Sequence, residues 1–294
     1  MREGGGVANM LHERSHGNGW RRVLVACAIG LSLCGVQASA QVTWDANTTT
    51  SGPQDGSGTW STTDANWWNG TTDVVWPNLT TSSAVIGASS GAAGTITVGE
   101  TLTLTAITFN APGSGTYTLT GGTLGFAGTT KTITANANAT IGSAITSAVG
   151  LTKAGTGTLT LAGNVSNTSG GISISGGAVT LTGTLTNTAS VAVSVGSANG
   201  GLLTIAGGSM STSWNNARSV IIAAGAGQSG TIAVSGGFFS PAGMLISEDA
   251  GGNGVFTQSG GAVSIGTGNL WIGGNTSSLT VSGGSFTNNN TTYF

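Results

Sequence analysis

An all-β fold, a right-handed parallel β-helix (β-solenoid) with an N-terminal signal helix and a Trp-rich N-terminal cap, is what this sequence of 294 residues predicts. Three observations lead there. Four short phrases, LLTIAGGSM (202–210), TIAVSGGFF (231–239), VFTQSGGAV (255–263) and SLTVSGGSF (278–286), are variants of one pattern. Glycine supplies 53 residues and charged side chains only 5%, so order has to come from backbone ladders rather than from an ionic framework. After residue 40 no segment sustains the apolar period of a helix, and Gly, Thr, Ser, Val and Ile all disfavour one.

The glycine pairs of the four phrases begin at Gly207, Gly236, Gly260 and Gly283, at intervals of 29, 24 and 23 residues. Those lengths suit one supersecondary unit copied and stacked. Within a copy, as in Leu279-Thr280-Val281-Ser282, apolar residues alternate with small hydroxyl ones before the glycines supply a bend, giving strand, corner, strand. One such strand cannot bury its apolar face alone. Neighbouring copies therefore stack, with aliphatic chains inward and Thr, Ser and Asn outward. At about 4.8 Å per rung, roughly nine coils between residue 84 and the end make a rod of about 40 Å. Tandem hairpins or a β-sandwich would also alternate, but with Asn-Gly or Asp-Gly turns. The repeat region has only Asn199-Gly200 and Asn253-Gly254 of that kind.

The front of the chain is different. Arg14, Arg21 and Arg22 precede the apolar run Val23 to Val36, which ends in Ala38-Ser39-Ala40. This is the layout of a secretory signal peptide over 1–40, cleaved between Ala40 and Gln41, and its apolar run is short for a bilayer span. Cys34 behind Leu31-Ser32-Leu33 makes a poor lipoprotein box because Leu33 is bulky, and Arg21-Arg22 lacks the rest of a twin-arginine signal. Cys27, Cys34, His12 and His16 all fall in this segment, so the mature chain is expected to hold no disulfide, no thiolate metal site and no cofactor. Its bases, Lys131, Lys153 and Arg218, face seven acids, 3 minus 7, for a net charge of −4. That balance excludes nucleic acid and anionic lipid as partners, and no stable membrane span is expected in the mature chain.

Residues 41–83 form a distinct opening module, holding Trp44, Trp60, Trp67, Trp68 and Trp76 out of eight tryptophans. Two readings apply. Trp60, Trp67, Trp68 and Trp76 could stack on sugar rings while Asp45, Asp64, Asn66 and Asn69 accept hydroxyl protons. Alternatively the indoles are a buried cap over the solenoid's first edge, which would otherwise pair with another chain. The second is favoured, because adjacent Trp67 and Trp68 on a strand point to opposite faces and only one could join a single platform.

Residues 84–294 are read as solenoid, irregularly spaced to 149 and sharpest at GLTKAGTGTLTLAGNVSNTSGGISISGGAVTLTG (150–183). That stretch resembles the autotransporter-associated β-strand repeat of bacterial surface and secreted proteins. Gly150, Leu151, Lys153, Gly155, Gly157, Leu159, Leu161 and Gly163 fit its first half, and Gly170, Gly171, Ile172, Ile174, Gly176 and Gly177 its second. NVSNTS replaces the usual aromatic-containing linker, and Ile172 stands where Thr is commoner. The opening phrases WDAN, GTWSTTDANWW and VVW are also similar to the start of such proteins. The resemblance implies a bacterial passenger exported to the outer surface or medium, adhesin-like or structural, whose repeats are not catalytic. Extracellular glycans or neighbouring cell-surface proteins are the partners it implies. A membrane barrel or sorting tail is expected after such repeats, and the sequence stops at Phe294 without one, which leaves two expectations: a truncated C-terminus or a released product.

A polysaccharide-degrading β-helix enzyme is the remaining alternative, and it would need clustered carboxylates with a base or calcium. Glu248-Asp249 is the only adjacent acidic pair and reads as a solvated turn, with a calcium or sugar contact as its functional alternative. GAGQSG (225–230) and GGNG (251–254) open no helix and carry no P-loop lysine, so they read as corners. The rows Thr101, Thr103, Thr105 and Thr180, Thr182, Thr184, Thr186 suggest a water-ordering face, but they do not recur at one fixed place in successive units. The expectation is a protein without an active site.

Overall fold

The computed structural model describes residues 41–294 apart from 129, 130, 198 and 275, and every regular element among them is a β-strand. The signal segment expected over 1–40, including the cleavage residue Ala40, lies outside the described residues. Gln41 opens the first strand.

The strands form a parallel β-solenoid with three faces. Face one is a ladder in which Ser83–Ile86, Ala106–Phe109, Thr132–Ala135, Leu151–Ala154, Ile172–Ile174, Val193–Val195, Val220–Ile222, Met244–Ile246 and Leu270–Ile272 follow in chain order, every neighbouring pair parallel. These are nine rungs of nine complete coils. In one coil Leu151–Ala154 is followed by Thr158–Leu161 on face two and Asn164–Asn167 on face three. The unit is thus three strands, not the two that the SGG phrases display. Those phrases supply faces two and three, while face one comes from apolar triplets such as Val220-Ile221-Ile222 that lack any repeated punctuation. Parallel pairing of rungs some twenty-odd residues apart is incompatible with tandem hairpins or a sandwich.

Inward positions stack in register. One column runs Val42, Ala84, Ile107, Ile133, Lys153, Ile174, Val195, Ile222, Ile246 and Ile272. Each buried aliphatic contributes about 1.5–3 kcal/mol by leaving water. The glycine pairs are the corners. At Gly177 φ is +60° and an added Cβ would lie 2.6 Å from the carbonyl oxygens of both Gly155 and Gly157, so the neighbouring coil itself forbids a side chain there.

The threonines correct one expectation. On face two they do recur at a fixed place: Thr95, Thr118, Thr140, Thr160, Thr180 and Thr204 stack, followed by Ala233, Thr257 and Thr280. Varying corner lengths hide this register in the sequence. The column is one residue wide, since the positions beside it run Thr158, Ala178, Leu202 and Thr231, so no flat two-dimensional hydroxyl array forms. Stacked β-branched side chains support the ladder.

At the front, Gln41–Trp44 lies parallel to Ser83–Ile86 on one side and antiparallel to Trp67–Trp68 on the other, and Trp67–Trp68 pairs antiparallel with Asp73–Val74. The change of direction ends the parallel template of face one at a short, two-residue edge.

Candidate functional site

The aromatic end was the strongest site candidate in the sequence. Trp44, Trp60, Trp67 and Trp76 are each at most 1% exposed. Their rings meet mostly edge to face: Trp44 to Trp67 at 5.4 Å, Trp60 to Trp67 at 4.8 Å, Trp60 to Trp76 at 4.8 Å and Trp67 to Trp76 at 5.0 Å. Two of the four edges are anchored to the backbone, Trp44 Nε1 donating to Gly56 O and Trp76 Nε1 to Thr103 O, while the Trp60 and Trp67 indole N–H groups are buried without a partner among the described residues. Trp60, Trp67 and Trp76 therefore offer no ring face to solvent. Trp68, on the opposite side of its strand, is half-buried. The polar neighbours are also turned to local structure: Asn66 donates to Thr59 O, Asn69 Oδ1 accepts the Thr71 and Thr72 N–H groups, and Asp64 accepts from Ser61. Asp45 is fully buried, and its carboxyl is raised by desolvation and by the nearby Asp73.

Asp55 binds this end to the coils behind it. One carboxylate oxygen accepts from Ala88 N–H at 2.9 Å and the Tyr117 hydroxyl at 2.8 Å; the other accepts from Ser90 N–H at 2.8 Å and Gly91 N–H at 3.1 Å. Desolvation raises its pKa, but the Ala88 N–H, the Tyr117 hydroxyl and the Gly91 and Ser90 N–H groups outweigh it and hold the carboxyl below its ordinary value. Burial, and then the same contact with Asp55, raise the Tyr117 phenol. Replacing Asp55 by Ala is expected to cost about 2–3 kcal/mol at neutral pH. A depressed folded pKa means that this stabilisation is present above the ordinary value of 3.8 and is lost as pH falls through the folded value. Urea denaturation of both forms should show the gap closing below that pH.

A second set of functional-type groups sits inside the corners, where sequence reasoning expected only aliphatics. Lys153, 4% exposed, donates from Nζ to Gly155 O, Gly157 O and Gly176 O at 2.9, 3.0 and 2.9 Å, so all three ammonium protons are satisfied. Burial pushes its pKa down to about 8. Gln258 does the same at the next corner, donating to Gly260 O, Gly261 O and Ser285 O. At the third, Asn167 donates to Gly170 O and to Asn187 Oδ1, and Asn187 donates to Val191 O. Each group bridges its own corner to the next coil. The signal that would have found Lys153 is the alternation itself, since Leu151 and Lys153 share one face of a strand.

The acidic turn is solvated but not idle. Glu248 pairs in bidentate fashion with Arg218, thirty residues earlier, and Asp249 accepts from Ala226 N–H. Among the described residues no three His, Cys, Asp or Glu side chains gather into a metal-holding cluster, and no helix is long and apolar enough to cross a membrane.

No protein-family model matches the chain, and no solved structure matches it. A curated relative does: the chain is 39% identical over 169 residues, 54% of its own length, to the adhesin BmaC autotransporter of Brucella suis biovar 1 (strain 1330). The matched region is 5% of that protein's length. The chain is thus a β-solenoid repeat protein of nine parallel coils, similar over about half of its length to a short segment of an autotransporter adhesin.

Proposed function

We propose that the chain acts outside the bacterial cell, on the outer surface or released from it, as a non-catalytic adhesin-like solenoid that presents its faces to extracellular glycans or neighbouring surface proteins. The observation that carries this reading is the 39% identity to an autotransporter adhesin across more than half of the chain. The side-chain chemistry supports it: Asp55 is engaged as a clamp, Glu248 is ion-paired with Arg218, and the buried cation Lys153 is consumed by three carbonyls. In this reading residues 41–83 are a capping module, and Trp60, Trp67 and Trp76 are its core rather than a sugar platform. Their burial supports that assignment.

The test is attachment. A non-adherent bacterium displaying the chain should bind cultured epithelial cells or matrix-coated plates above the level of the same strain without it. A panel of neutral and acidic polysaccharides should show no turnover on incubation with the purified chain. Unchanged attachment would remove the adhesin reading, and any turnover would restore the β-helix enzyme.

A further inference from the structure

The outward column of face one changes character along the stack. Rung by rung it runs Gln41, Ser83, Ala106, Thr132, Thr152, Ser173 and Ser194, then Ile221, Leu245, Trp271 and Tyr293. Small and hydroxyl side chains give way to large apolar ones, on the face that the repeat logic assigns to solvent. Trp271 is 42% exposed, and Tyr293 stacks on it with ring centroids 4.2 Å apart and planes 16° from parallel.

Tyr293 belongs to the following rung and covers one face of the indole. Trp271 also lines a groove of about 410 Å³ shared with residues of preceding rungs, Leu245, Asn216, Asn269, Arg218 and Glu248. Leu245, 7% exposed, lies flush as an apolar floor. Arg218 and Glu248 neutralise each other at the rim. Asn216 Oδ1 accepts from Arg218 N–H, while the amide nitrogen of Asn216 and the whole side-chain amide of Asn269 have no hydrogen-bond partner among the described residues.

We propose that this groove is a binding site for a neutral glycan, one sugar ring lying against the free face of Trp271 with its hydroxyls at the two asparagines and the Arg218–Glu248 pair. A pyranose has an apolar C–H face, weakly positive, that suits the negative face of an indole, and an equatorial belt of hydroxyls that needs donors and acceptors together. The groove supplies both, within the volume range of small-ligand sites. A rim without net charge offers an anionic sugar no advantage. Towards the preceding rungs the apolar column ends at Ser194, one rung beyond Ile221, while towards the following rung it continues through Tyr293 and the exposed Phe294, so a second copy of the chain is the competing occupant that a dimer measurement separates from a glycan. This places a sugar contact at the far end of the stack from the tryptophans of the opening module, on a residue that no repeated phrase contains.

The experiment titrates the full chain in solution with cello-, laminari- and chito-oligosaccharides and with oligogalacturonate as the acidic control, using isothermal calorimetry. Binding is read without surface display, so its outcome is separate from that of the attachment assay. At least one neutral oligosaccharide should bind, with oligogalacturonate weaker. Trp271→Ala should weaken binding about tenfold or more while leaving the thermal melt in place, since the ring is on the surface. Asn269→Ala should weaken it several-fold without touching the Trp271–Tyr293 stack, which keeps the test valid if the first variant melts early. Trp68→Ala should bind as the parent does. Failure of every neutral oligosaccharide to bind, affinity unmoved by Trp271→Ala and Asn269→Ala, or a concentration-dependent dimer abolished by Trp271→Ala would each overturn the assignment.

Discussion

Trp67→Ala is expected to destabilise the N-terminal end by about 4 kcal/mol, in the range for removing a large aromatic from a closed core. Trp67 touches three other indoles, is fully buried and sits on the strand that closes face one. Neighbouring cap rings cannot collapse into the gap freely, because Trp44 and Trp76 are tied by their indole N–H groups to Gly56 and Thr103. Trp68→Ala, one residue away on the other side of the strand, should stay within about 1 kcal/mol. Amide hydrogen exchange over residues 41–104 would show the difference, with protection lost in the first variant and retained in the second. Loss of the cap also uncovers the edge of Gln41–Trp44, so Trp67→Ala should aggregate more readily than the parent. Equal stability of the two variants would remove the cap role of the aromatic cluster and reopen its use as a binding platform.

The β-solenoid, the inward aliphatics and the glycine corners were legible because each rests on a short local rule, alternation by two and a bend that needs glycine. What the sequence did not disclose depends on register between coils. Thr160 and Thr180 stack only because Thr158–Leu161 pairs with Ala178–Leu181 in that register, and the corner lengths that set it vary from coil to coil. The third strand per coil escaped for a related reason: Met244-Leu245-Ile246 is too short to show a period. By residue type alone, Lys153, Gln258 and Asn167 carry no local sign that they are interior. Their position on the inward side of alternating strands, and not their chemistry, decides that they are interior. Trp271 was invisible from the opposite error, since an isolated tryptophan in an apolar triplet reads as core until the column beside it is known.

Lys153→Glu is expected to be the most damaging single change in the coils, costing more than about 5 kcal/mol, because it sets a buried anion against three carbonyl oxygens with no cation in reach. Lys153→Met keeps the length of the chain in an aliphatic column between Ile133 and Ile174, and an apolar replacement for a buried charge is often close to neutral. It should cost within about 2 kcal/mol, the remainder reflecting the carbonyls of Gly155, Gly157 and Gly176 that lose their donor. The comparison has a pH signature. The unfolded chain holds this proton up to the ordinary lysine value of 10.5, whereas burial makes the folded site release it at about 8. Between those values the unfolded state binds more protons, so stability rises with pH there. Denaturant titrations from neutral pH upward should therefore show the parent gaining on Lys153→Met across that window, with the two curves parallel below it. A parent that instead falls behind the Met variant above pH 8 would mean that the charged ammonium is held by the three carbonyls more strongly than burial opposes it. In that case the corner works as a cation clamp and the folded pKa lies above the ordinary one.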